Sequence, residues 1–496
     1  MQKSIWLKDY KNNDLPKIEQ EITTPILIIG GGIAGLMCAY YLMKEGKDFL
    51  LIDGRKLGCG VSAGTTAQLS IAHGKKYLDL LKKHGKDKTI QYLKSQQHGL
   101  SLIKKVIEEE KIKCDYQLES TILCANSEKE IADLEQYYEL MKEAGVDCKK
   151  INDSNDILNY EVGIEFKEQG IFNPMKYIMA IVNILIKQEV ALYEDSRATK
   201  IKKSDDYYQV TINEEHVITA KQIIMACGYP QINPDNLYFA KVFQSTSYAV
   251  AFKTKLKLSA NYVYFDKPYY YFRTYDKDTL IIGGNDHYTG SNSDPASCYE
   301  GLRNKAYELD TSAEVINQWF AEDVTSIDSL PFIDNYSRFH PNIILVTGFG
   351  KWGFTNSHMA AQIVKDMILG KEENELYKTD RFVFLRDLKS SGRMVLHSLE
   401  GLLLSKLKVK EADLENLKIG SGEVMKLGGK NALVYRHNKQ EYVILKNKCT
   451  HMGCALMWND PDQVWACKCH GSIFDKCGKV LYGPAKKDLE EIDVDK

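Results

Sequence analysis

Pro25-Ile26-Leu27-Ile28-Ile29-Gly30-Gly31-Gly32-Ile33-Ala34-Gly35 is a short β-branched run that breaks on glycines, and Leu36 to Lys44 carries on with helical periodicity. The next apolar run, Phe49-Leu50-Leu51-Ile52, ends on Asp53 and completes a βαβ unit. In Gly30-x-Gly32-x-x-Gly35 the first glycine permits the tight turn, the second admits pyrophosphate to the backbone, and the third lets helix pack on strand. The helix start at Ile33 and Ala34 attracts phosphate. Asp53 sits at the usual distance for a carboxylate that holds ribose hydroxyls. Glycines alone are a weak signal; with strand, helix and Asp53 in register they predict a dinucleotide site.

A chain of 496 residues exceeds one ordinary core and predicts two or three compact units. Hydrophobic content of 44%, charged content of 27% and a net charge of -2 argue against a disordered polyelectrolyte and against a nucleic-acid binder. Met1 to Asp9 lacks the apolar run of a secretion signal, and no segment is apolar long enough to span a bilayer, so a cytoplasmic protein is expected. Lys82-Lys83 and Lys104-Lys105 sit among acids and read as solvated helix faces. Of twelve cysteines, seven scatter through the first 300 residues as core thiols, while five crowd between Cys449 and Cys477. That crowding reads as a metal site in a reducing compartment.

Along the chain, 75–144 has helical periodicity, with Tyr77, Leu78, Leu81, Leu93, Leu102, Ile103, Val106 and Ile107 as inward positions. Gly170-Ile171-Phe172-Asn173-Pro174 opens another helix, and short strands follow up to Ala226-Cys227-Gly228. Residues 236–334 alternate and are rich in aromatics, as in Tyr269-Tyr270-Tyr271-Phe272-Arg273, which predicts an antiparallel sheet. Ile343-Ile344-Leu345-Val346 runs into Thr347-Gly348-Phe349-Gly350-Lys351-Trp352-Gly353-Phe354-Thr355 and a helix, repeating the N-terminal logic. The expected units are a lead-in over 1–21, a dinucleotide unit over 22–375, a connector over 376–415 with Leu396, Leu399, Leu402 and Leu403 on one face, and a small domain over 416–496. Within the large unit, about 22–75, 160–235 and 335–375 hold the nucleotide; about 76–159 and 236–334 form the substrate part.

From Pro25 to Leu369 the sequence resembles the D-amino-acid oxidase superfamily, and within it the glycine oxidase-like and sarcosine oxidase-like flavoproteins. The resemblance rests on Gly30 to Gly35, Asp53, the loop Gly58-Cys59-Gly60-Val61-Ser62-Ala63-Gly64-Thr65-Thr66-Ala67-Gln68, Gly170 with Pro174, Ala226-Cys227-Gly228 and Thr347 to Thr355. It implies a Rossmann-like α/β domain that binds FAD, with an inserted antiparallel-sheet and helical substrate domain. Ser62, Thr66, Ala67 and Gln68 would wrap the ribityl chain and flavin, Gly228 would join the site, and Phe349, Gly350, Lys351, Trp352, Gly353, Phe354 and Thr355 would close over the pyrimidine side. The helix start after Gly353 and the Lys351 ammonium would then stabilise the negative charge of a reduced flavin.

Cys449-Thr450-His451-Met452-Gly453-Cys454 and Cys467-Lys468-Cys469-His470-Gly471-Ser472 form paired C-x-H and C-x-x-H halves. Two thiolates, Cys449 and Cys467, on one iron and two imidazoles, His451 and His470, on the other are the Rieske [2Fe–2S] ligand set. A Cys2His2 zinc site satisfies the same ligand count, though zinc spacings usually pair like residues. From about Leu417 onward the chain resembles the cytochrome bc-type Rieske domain, an all-β unit. There Cys454 and Cys469 would be disulfide partners and Gly483-Pro484-Ala485 would be the cluster-covering loop. Ser472 is kept as a sulfur donor, but Phe474 stands where the high-potential members have Tyr, which implies a potential below the top of the ~ −150 to +300 mV Rieske range.

In this order the two parts resemble bacterial FAD-dependent oxidoreductases with a C-terminal Rieske domain. The resemblance implies oxidation of an amine or amino-acid-like small molecule, with electrons leaving FAD through the cluster to an electron carrier. Trp319-Phe320-Ala321-Glu322-Asp323 lacks the Arg that glycine oxidase-like enzymes place there for a substrate carboxylate. Arg273 and Lys351 are the substitute anion partners, with a structural ion pair for Arg273 and a surface lysine for Lys351 as the alternatives. Tyr271, with His287, is a pocket candidate, against the reading of His287 as a hydrogen-bonded core or surface residue. Direct reoxidation by O2 and a non-catalytic redox carrier or sensor remain alternatives. A Rieske oxygenase is disfavoured, because about 80 residues from Leu417 onward hold no 2-His-1-carboxylate triad. The two cofactor sites are expected to belong to separate cores.

Overall fold

Strand Ile22–Ile29 buries four consecutive apolar residues, Ile26 to Ile29, as a parallel strand covered on both faces must. The computed structural model describes residues 3–8, 10–11, 13–152, 157–230, 238–291, 294–371, 374–381, 392, 396, 409, 411 and 413–492. Ile22–Ile29 lies between the parallel strands His216–Met225 and Leu50–Ile52, and Ala191–Tyr193 and His340–Thr347 extend the parallel set outward. Phe332–Ser337 closes one edge antiparallel, and Ala198–Ser204 with Tyr207–Ile212 branches from His216–Met225. Helices Ile33–Lys44 and Gly353–Ile368 pack on each other beside this sheet. The Rossmann-like α/β expectation holds.

A second sheet of nine strands is built on Val242–Lys253, flanked antiparallel by Thr279–Tyr288 and Glu314–Ser326. It differs from the expectation in two places. The stretch 75–144 holds helices Lys76–His84, Lys86–Glu109 and Glu128–Glu143, but also the strand Gln117–Ala125, parallel to Asn261–Tyr264. Thr121 to Ala125 are all buried, so the strand shows no alternation and its short apolar run was absorbed into the neighbouring helical pattern. Conversely, the stretch 236–334 contains helix Pro295–Leu309, started by the Asp294 side chain. Of the eight inward positions Leu78 and Leu81 are half-buried and the rest buried.

The C-terminal residues form two small antiparallel sheets, Gly422–Leu427 with Lys430–Arg436 and Tyr442–Lys446, and Leu456–Asn459 with Val464–Cys467, Ile473–Asp475 and Val480–Tyr482. The two cofactor sites do lie in separate cores, Cys449, Cys467 and Phe474 in one of C-terminal residues and Ile33, Leu36 and Met37 of the fingerprint helix in another, but a third cluster joins the two parts. Val464, Ala466, Ile473 and Tyr482 share one apolar cluster with Tyr248, Val250, Ile282 and Phe320 of the large sheet. Tyr299 adds a hydrogen bond to Asp462 at 2.8 Å. Nor is the lead-in idle, since Ile5 and Trp6 are buried. Lys83 is tied to Ile327 O at 2.9 Å and so is not a solvated lysine. Most of the connector, with Leu399, Leu402 and Leu403, lies outside the described residues. Among the described residues, no helix is long and apolar enough to cross a membrane.

Candidate functional site

A cavity of about 720 Å³ opens at the C-terminal ends of the parallel strands. Gly30, Gly32, Ile33, Ala34 and Asp53 line it, with Ser62, Thr66, Gln68, Gly228 and the whole run Phe349 to Thr355. Gly35 and Ala67 stand behind it. A Cβ on Gly30, at φ +111°, would lie 2.6 Å from Ala226 O, and one on Gly35 would lie 1.8 Å from Gly30 O, so strand, turn and helix meet at backbone distance. Asp53 accepts hydrogen bonds from Gly31 N at 2.7 Å and Arg55 N at 2.8 Å, which fixes its carboxylate at the strand end. Ser62 Oγ accepts from Ile33 N at the helix start, at 3.0 Å. This glycine cradle fits a dinucleotide pyrophosphate, and the same cavity continues to the loop residues Ser62, Thr66 and Gln68 and to Phe349–Thr355.

The loop that was expected to wrap the flavin is held from outside, carbonyl by carbonyl. Trp319 Nε1 donates to Gly64 O at 2.8 Å and Trp6 Nε1 to Thr65 O at 2.7 Å. Arg273 Nη1 donates to Thr66 O at 3.1 Å, Ala67 O at 2.7 Å and Phe172 O at 3.2 Å. Arg273 is therefore not the substrate's anion partner: it is 2% exposed, does not line the cavity, and gives its Nη1 donors to these carbonyls and its Nε donor to Thr274 O. Burial brings its guanidinium down to about 9. Gln68 Nε2 reaches Phe272 O at 3.2 Å.

On the far side of the cavity stand Tyr271, Asp286, Asp323 and Lys351. Lys351, at φ +66°, is paired with Asp286. Its charge is thus shared with a carboxylate at the cavity wall. Burial pushes the Tyr271 phenol well up and raises Asp323 to about 6, an effect that nearby Lys351 opposes. His287 is turned away, 3.0 Å from Tyr248 OH and 2.9 Å from Tyr288 O. The site also contains groups that sequence reasoning missed. His73 stacks on Trp352 with centroids 3.9 Å apart, and Lys76 donates to Phe349 O at 3.0 Å while burial lowers it to about 7. Neither sits in a motif; a lone histidine just before a helix, or a lysine in its first turn, carries no local signal of what it faces.

In the C-terminal domain the two cysteine-histidine loops face each other. Cys454 and Cys469 form a disulfide with a Cα–Cα distance of 6.3 Å, which removes them as metal ligands although their sulfurs cluster with that of Cys467. The Cys449 and Cys467 thiols share a hydrogen bond that, with Ser472, holds Cys449 down to about 7. The imidazoles of His451 and His470 stand 4.9 Å apart, and burial lowers each to about 4, keeping both neutral as metal ligands must be. The buried Nδ1 of His451 has no hydrogen-bond partner among the described residues. Ala485 N donates to Ser472 Oγ at 3.0 Å, closing the proline loop over the site. Two thiols that touch and two neutral imidazoles that touch, on facing loops, fit the ligand set of a [2Fe–2S] cluster.

The FAD dependent oxidoreductase profile matches residues 25–367, and the Rieske [2Fe-2S] domain profile matches residues 408–493. The chain belongs to the FAD dependent oxidoreductase family. It is similar to YhfW of Bacillus subtilis (strain 168), named a putative Rieske 2Fe-2S iron-sulfur protein: the two are 28% identical over 99% of this chain and 98% of that one. Gamma-glutamylputrescine oxidoreductase of Escherichia coli (strain K12) is 21% identical over 72% of this chain and 86% of its own. Glycine oxidase from Geobacillus kaustophilus shares the fold at a TM-score of 0.61 and 16% identity, over 73% of this chain and 99% of that one.

As an FAD dependent oxidoreductase with a Rieske domain, the chain takes FAD and a [2Fe–2S] cluster as cofactors, and the two parts meet at the cavity itself. Leu481, Tyr482 and Gly483 complete its wall. Arg55 Nη1 donates to Leu481 O at 2.5 Å and its guanidinium lies 4.8 Å from the Tyr482 ring, while Arg197 Nη2 reaches Val480 O at 3.2 Å.

Proposed function

We propose that this oxidoreductase oxidises an amine or amino-acid-like substrate and passes the electrons through its Rieske domain to a one-electron carrier. The observation that carries this reading is the shared wall: the strand and turn at 481–483, which lead into the cluster-covering loop, line the same cavity as the dinucleotide fingerprint. When bound, FAD supplies a two-electron acceptor and the cluster a one-electron centre. The chain's own residues bind, orient and move protons. Asp323, poised near 6, is placed to take the proton of a substrate ammonium, since an amine must be neutral to lose electrons from its C–N bond. Tyr271 stays a neutral phenol and offers a hydrogen-bond donor beside it. His73 and Trp352 present a flat apolar wall, and the docked Rieske strand keeps water from that side. The names of the relatives, a glycine oxidase and a gamma-glutamylputrescine oxidoreductase, support C–N oxidation.

Anaerobic mixing with a panel of amines and N-methylated amino acids tests this. The expected result is flavin bleaching followed, without oxygen, by the EPR signal of a reduced Rieske cluster. Bleaching with a cluster that stays oxidised would make the protein a direct O2 oxidase, and no bleaching with any amine would remove the substrate class.

A further inference from the structure

Gln244 projects from strand Val242–Lys253, 3% exposed, among the residues that line the dinucleotide cavity. Its Nε2 donates to two Rieske-domain carbonyls, His470 O at 2.8 Å and Gly483 O at 2.6 Å. A carboxamide nitrogen carries two hydrogens, so one group satisfies both. His470 belongs to the second ligand loop and Gly483 to the proline loop, so Gln244 ties together the two segments that enclose the cluster space. The seat around it is closely built. A Cβ on Gly471 would lie 3.0 Å from Gln244 Cβ and 3.1 Å from Thr289 Cβ, and one on Gly290 would lie 2.6 Å from Lys468 Cα. At the first ligand loop, Tyr229, another cavity-lining residue, stands edge-on to His451 with ring centroids 6.4 Å apart. The His451 imidazole and the backbone of the second ligand loop at His470 are therefore set against residues of the cavity wall.

We propose that Gln244 is a positioning residue for the iron–sulfur centre: it fixes the histidine edge of the Rieske domain to the wall of the dinucleotide cavity, so that the domain works docked and not as a swinging head. The proposal rests on the two-centre reading above, but its test needs no substrate. Gln244→Met keeps the length of the side chain and removes both donors. In holoprotein, the amides of 467–472 and 480–484 should exchange about thirty-fold faster, the ~2 kcal/mol of two lost hydrogen bonds at 1.4 kcal/mol per decade. The EPR g-values of the reduced cluster should shift as well. Tyr299→Phe, which loosens docking at Asp462 away from the cluster, should speed exchange and leave the EPR spectrum unchanged. If Gln244→Met does not accumulate with its cluster, Gln244→Asn, too short to reach both carbonyls, carries the same expectation. Unchanged exchange would overturn docking by Gln244. Faster exchange with an unchanged EPR spectrum would reduce Gln244 to plain interface contact and overturn the positioning role. Failure of the amine panel would leave either result standing.

Discussion

Phe474 is wholly buried, paired across strands with Trp465 and Val480, and belongs to the apolar cluster that holds Cys449 and Cys467. A hydroxyl added there enters the apolar cluster that holds both ligand cysteines. A donor to a ligand sulfur draws electron density from it and favours the reduced cluster, so Phe474→Tyr should raise the midpoint potential by tens of millivolts. A hydrogen bond to a charged group contributes ~1.5–3 kcal/mol, differs only partly between redox states, and converts at about 59 mV per decade for one electron. EPR-monitored titration checks the sign; an unchanged or lowered potential in a folded, cluster-loaded variant would mean that Phe474 is plain core. At this scale the cluster ligands were legible because each pair lies within four residues, so spacing alone carries geometry. Lys351 and Arg273 were not, because a charge in sequence does not name its partner: one is paired with Asp286 and the other holds the loop at Thr66 and Ala67.

Strand Glu314–Ser326 lines the cavity with Trp319 and with Ala321 to Thr325, and it buries Glu322 between Thr246 and Thr289. Burial raises this carboxyl from its ordinary 4.5 to about 8; the two threonines oppose the shift, and Asp323 and Asp462 add to it. Between those values the folded chain keeps a proton that the unfolded chain has released. Stability is therefore full below about 4.5, falls as the pH rises through this window, and is level above it, a loss on the order of 4–5 kcal/mol at most. Glu322→Gln should flatten the profile, raising Tm relative to the parent more at pH 8 than at pH 5. Parallel melting profiles of parent and variant across that range would refute the buried-proton account. The element scale also explains what the sequence concealed. The fingerprint strand declared itself through the glycines that follow it, whereas Gln117–Ala125 has no such punctuation and lies between two helices.

In the whole molecule the shared apolar cluster joins the Rieske sheet to the flavin-side sheet, so the two cofactors are expected to depend on each other. Removing a cluster ligand, as in Cys467→Ser, should loosen the loops at 467–472 and 480–484 and speed FAD release by about tenfold, the effect of ~1.4 kcal/mol of lost wall contact. Fluorescence of released FAD measures it, and an unchanged release rate would mean the wall stands without the cluster. The order of the two parts was readable because each carries its own motif. Their contact was not, because Arg55, Gln244 and Tyr299 reach partners 426, 226 and 163 residues away.

That separation also bears on how the protein comes to exist. Arg55 and Leu481 are 426 positions apart, so the first βαβ unit leaves the ribosome long before the strand that completes its cavity has been made. A nascent chain can bury its N-terminal core early, but it holds an open, three-sided cleft and an uncovered apolar face at Tyr248, Val250 and Phe320 until the last segment arrives. Synthesis that stops before the final strands leaves a species with its aggregation-prone surface outward and its coenzyme loosely held. Slow translation of the last segment would lengthen the lifetime of that species.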